Sequence, residues 1–90
     1  MSTEQLKTSL LARLVTVSNE IFELKDAMFR LEEELASDGL TVNNSSLWNR
    51  MCGRHNRAVE EKLFLRDMLI GYFGMTYDDL FALVAAGFEE

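Results

Sequence analysis

Leu10, Leu14, Val17, Ile21, Leu24, Met28, Leu31 and Leu35 follow one another at alternating spacings of four and three. That is the heptad pattern of a helix with a continuous apolar seam. Leu14, Ile21, Met28 and Leu35 take one core position, and Leu10, Val17, Leu24 and Leu31 take the other. A second row, Val15, Phe22 and Phe29, repeats every seven residues about 100° to one side of the seam. The apolar face is then broader than one neighbouring helix covers, so this helix is expected to touch at least two others.

Local signals set the boundaries. Ser2 followed by Gln5 has the form of a capping box, and Gly39 offers the left-handed residue that ends a helix, with Leu40 folding back on Leu35. The first helix is expected over about residues 3–38, a rod of roughly 50 Å at ~1.5 Å per residue. Asn43 is the candidate cap of a second helix over about 44–73, with Val42 and Leu47 as a hydrophobic staple and Gly74 as its stop. Thr76 with Asp79 marks a third helix over about 77–86, stapled by Met75 and Leu80 and stopped by Gly87, with Phe88 closing onto Leu83.

So short a connection near residue 41 makes the first two helices antiparallel neighbours. The second helix turns apolar on nearly all sides beyond Leu63, through Phe64, Leu65, Met68, Leu69, Ile70, Tyr72 and Phe73, and is expected to be enclosed by several elements there. The predicted architecture is all-α: a single domain over 1–90, a long antiparallel helical hairpin with a short third C-terminal helix. Ninety residues bury a modest core and an elongated hairpin buries less, so a homodimer forming a helical bundle is the expected assembly. The absence of Pro and the presence of only five Gly suit long uninterrupted helices.

Charge narrows the function classes. The net charge is −6, which disfavours binding to nucleic-acid backbones or anionic membranes by the body as a whole. The sign is uneven: residues 1–43 and 76–90 each carry a net −4, whereas residues 44–75 carry +2. A lone cysteine, Cys52, excludes an intrachain disulfide and fits a reducing compartment. The N-terminal residues lack the basic and apolar regions of a secretory signal, and no run reaches the length of a membrane span. A cytoplasmic protein is expected, and the sequons at Asn43 and Asn44 are read as chance.

The densest chemistry is Arg50, Cys52, Arg54, His55 and Arg57. The three arginines share one helix face at i, i+4 and i+7, a pattern able to grip a phosphate, a nucleotide or an acidic strip on a partner. With the turn near residue 41, Arg50 and Arg54 fall opposite Glu32, Glu33 and Glu34, and Lys62 opposite Glu20, so pairing within the hairpin or between subunits is the simpler expectation. Cys52 and His55 have helical ligand spacing, but two residues fall short of the four ligands of a structural zinc unless a symmetric dimer doubles them. As a nucleophile pair they lack an orienting residue and an oxyanion donor. No metal and no cofactor is expected. Gly53, in mid-helix, either permits a close helix approach or is simply tolerated.

The acidic runs Glu32-Glu33-Glu34, Asp78-Asp79 and Glu89-Glu90 suit solvated surface and a favourable helix N-terminus, with nucleic-acid mimicry as the alternative. No phosphate loop, catalytic carboxylate motif or Ser-His-Asp order is present, so no enzyme is expected. In outline, residues 21–73 resemble the small helical-hairpin co-chaperones of type III secretion needle subunits. The likeness rests on a long acidic first helix, a short Gly-containing turn, Trp48, the segment Ala58 to Glu61 and the apolar close Met68 to Ile70. It is a likeness of architecture more than of motif, and the extra C-terminal helix departs from the shortest members.

The expected function is a non-catalytic protein–protein interaction module: a small adaptor, chaperone or inhibitor presenting helical surface to a protein partner. Five Met residues add adaptable contact surface. A small acidic inhibitor of phage type is the first alternative. An oligomer that sequesters a phosphorylated ligand between Arg50, Arg54 and His55 is the second.

Overall fold

The computed structural model describes residues 2–89, with side chains throughout that span except at 44 and 87–89. Three α-helices follow in order: α1 over Thr3–Ser37, α2 over Ser46–Phe73 and α3 over Tyr77–Glu89, with a short 3-10 turn at Val42–Asn44 between the first two. No strand occurs among the described residues. The molecule is a rod of 53 × 24 × 20 Å.

Local chemistry explains the helix ends. The Ser2 hydroxyl accepts from the Gln5 N–H at 3.2 Å, and the Gln5 carbonyl oxygen Oε1 accepts from the Ser2 N–H at 3.0 Å, so two of the first orphan donors of α1 are satisfied. At the other end Gly39 takes φ +74°. The Leu40 N–H reaches the Leu35 carbonyl at 2.8 Å and the Gly39 N–H reaches Ala36 at 3.0 Å, the Schellman closure expected from Gly39 and Leu40. Thr76 and Asp79 cap α3 reciprocally, each backbone N–H reaching the other's side chain at 3.1 Å.

Two boundaries differ from the sequence reading. Ser45, not Asn43, caps α2: its hydroxyl accepts from the Trp48 N–H at 3.1 Å. Residues 42–44 are drawn into the 3-10 turn, closed by the Ser45 N–H on the Val42 carbonyl, so the Val42–Leu47 staple has no place. Gly87 does not end α3, which runs on to Glu89. The expected contact of Phe88 lies outside the described side chains.

The seam is the core of the hairpin. Leu14, Val17 and Ile21 are buried against Ala58, Leu65 and Leu69 of α2 and Leu80 of α3, while Leu10, Leu11, Val59, Ile70, Phe73, Met75 and Val84 pack around them. Leu24, Met28, Leu31 and Leu35 are half-buried, so burial fades toward the turn. The far half of α2 is less enclosed than its composition suggested. Leu65 and Leu69 point inward, but Phe64 and Tyr72 remain exposed because α1 is the helix that packs along α2, while α3 lies mainly on α1.

Candidate partner-binding surface

Register decides which charges meet. Arg13 of α1 forks onto Glu61 of α2, Nε to Oε1 at 2.6 Å and Nη2 to Oε2 at 2.9 Å. Further along, Glu20, Glu23, Leu24 and Ala27 face Met51 and Arg54 across a shallow cleft. Arg54 therefore sits opposite Glu20 and Glu23, about three helical turns from the Glu32–Glu34 run assigned to it by a symmetric hairpin. Lys62 lies beside Leu14, not opposite Glu20. The 38–45 connection, with its 3-10 turn at Val42–Asn44, therefore does not place the two helices symmetrically about residue 41.

The ion pairs among the described residues are Arg13–Glu61, Arg30–Asp26 and a 3.7 Å contact of Arg66 with Asp67. Arg50, Arg54 and Arg57 belong to none of them, and all three are exposed. Helical spacing extends this row. Arg50, Arg57 and Phe64 recur every seven residues, and Arg54 and Tyr72 stand eighteen apart, about five turns, at the same angle. Phe64 is 63% exposed and Tyr72 82%. One flank of α2 thus presents three cations and two aromatic rings in a single strip.

The opposite flank carries α3. Leu14, Lys62 and Arg66 of the hairpin and Tyr77, Leu80, Phe81 and Val84 of α3 line a mainly apolar cleft of about 340 Å³. The Arg66 guanidinium lies over the Tyr77 ring, 5.3 Å from its centroid, a cation–π contact between α2 and the start of α3. Gly74, at φ +68°, turns the chain so that these residues meet. The sequence offered no specific sign of this pair, because it depends on the angle of that turn.

His55 is half-buried with no hydrogen-bond partner for Nε2, and Cys52 is a half-buried free thiol. Among the described residues no three His, Cys, Asp or Glu side chains gather as metal ligands. A Cβ added to Gly53 meets nothing within 4 Å, so this glycine permits no close helix approach within the chain. In the second apolar row Val15 is half-buried, whereas Phe22 and Phe29 are exposed.

Acidity is shifted at the fork between α1 and α2. The hydrogen bond from Arg13 holds the Glu61 carboxyl below its usual range, and the same bond raises the Arg13 guanidinium. Both side chains are well exposed, so water screens the pair. No helix is long and apolar enough to cross a membrane among the described residues. Comparison with protein-family models, curated proteins and solved structures finds no match for this chain.

Proposed function

We propose that the protein is a non-catalytic protein-interaction module, an adaptor, chaperone or inhibitor that docks on a protein partner through the basic–aromatic flank of α2. The observation that carries this reading is the strip of Arg50, Arg54, Arg57, Phe64 and Tyr72, exposed and without internal ion pairs. Arginine and large aromatic side chains are the residue types that dominate the energetics of protein interfaces. They call for a partner surface with apolar pockets bordered by carboxylates. The net charge of −6 opposes nucleic acid as the occupant.

A small phosphorylated ligand fits this site less well. The strip lies on a convex helix flank, where little of a small molecule is enclosed, and the cleft beside Arg54 also holds Glu20 and Glu23, which repel a phosphate. The test is capture of partners from the native host by the tagged chain, beside R50A/R54A and F64A variants. A protein retained by the parent and lost from both variants, with melting temperatures unchanged, supports the reading. If the variants lose stability alone, or if the purified chain retains a phosphorylated small molecule, the reading fails.

A further inference from the structure

The flank that carries α3 is occupied over only half its length. The α3 cleft fixes which side this is: it takes Leu14 from α1 and Lys62 and Arg66 from α2. Trp48 precedes Arg66 by eighteen residues and His55 precedes it by eleven, so both lie on the same stripe of α2, continued toward the turn. Phe29 lies on the corresponding side of α1, away from the Arg13–Glu61 flank. In this turn-side half Phe29 is 60% exposed, Trp48 is half-buried, and the buried Nε2 of His55 has no partner.

The third helix is itself covered on one side only. From Leu80 through Phe88 it carries no charged residue. Leu80 and Val84 face the hairpin, yet Phe81 is 76% exposed, and Ala82 and Ala86 are exposed beside it. A helix that is apolar all round belongs between two layers. Its thirteen residues span roughly 20 Å, and the twenty-eight of α2 span roughly 42 Å, so two copies of α3 end to end match the length of the hairpin face.

We infer that this face joins two copies of the chain in a two-fold dimer, in which the α3 of each copy fills the turn-side half of the other's hairpin. Raised helix and vacant shelf are then self-complementary, as an isologous interface requires. The two hairpins run antiparallel with both α3 helices between them. The surface available is sufficient. The chain exposes 6483 Å², against about 5,400 Å² for a compact monomer of this mass. That excess exceeds the roughly 800 Å² per partner of a standard interface.

The occupant is a second copy, and mass in solution tests it. Sedimentation equilibrium of the full chain is expected to give twice 10.3 kDa. F29E on the shelf and F81E on α3 are each expected to give a monomer with unchanged helical circular dichroism, whereas F64E on the opposite flank leaves the dimer intact. A monomer at about 100 μM, or a dimer indifferent to both F29E and F81E, overturns the inference. The R50A/R54A variant leaves the mass unchanged, so this interface and the partner strip fail separately.

Discussion

Arg13 grips Glu61 through two nitrogens, at 2.6 and 2.9 Å, and ties α1 to α2 across forty-eight positions of sequence. The pair marks the register that the buried seam sets, and its electrostatics have a definite sign. Bonding to Arg13 depresses the Glu61 carboxyl in the folded state, so its contribution is fully present above the ordinary carboxylate range and is lost as pH falls through the depressed value. Melting curves of the parent and E61Q are expected to differ at neutral pH and to converge in acid. Parallel curves at every pH would contradict this.

Leu69 has no exposed surface and lies where α1, α2 and α3 meet. Leu69→Ala is expected to cost about 2–5 kcal/mol in urea unfolding, from lost transfer energy plus the cavity left behind. Tyr72→Ala, three residues on but facing outward, is expected to change stability by less than about 0.5 kcal/mol. Similar losses for the two would mean that the outer side of α2 is covered in solution.

The glycines divide into two kinds. Gly53 and Gly71 are helical and open to space, so Gly53→Ala and Gly71→Ala are each expected to stabilise by about 1 kcal/mol. Gly39 holds φ +74°, where a side chain is strained, and Gly39→Ala is expected to destabilise by about 1–2 kcal/mol. Thermal unfolding of the three single variants reads both signs.

The cap of α2 is a separable contribution. Ser45→Ala removes the acceptor for the Trp48 N–H and is expected to cost about 1 kcal/mol. Asn43→Ala leaves that bond in place and is expected to be close to neutral. Equal losses would return the cap to Asn43.

What the sequence made visible is what neighbouring residues decide. The seam from Leu10 to Leu35, the box at Ser2 and Gln5, the Gly39 closure and the Thr76–Asp79 cap all depend on side chains within a few positions of one another, and each stands where spacing put it. Register was hidden because it depends on the path of the 38–45 connection, and Arg54 meets Glu20 and Glu23, about three turns from the Glu32–Glu34 run. The cap moved to Ser45 for a related reason: residues 42–44 formed a turn that heptad spacing does not anticipate. Of the candidate site, the arginine row was legible as a helix face. Its freedom from internal pairing, and its continuation into Phe64 and Tyr72, emerged only with the register in place.

Only Gly74, Met75 and Thr76 separate the second and third helices. Fully extended, three residues reach about 10 Å, so α3 is held beside the end of α2, and only by straightening this joint into one continuous helix could it reach the hairpin of another molecule. In the dimer inferred above each α3 stays with its own chain, so that association is a meeting of finished bodies and is expected to reverse on dilution.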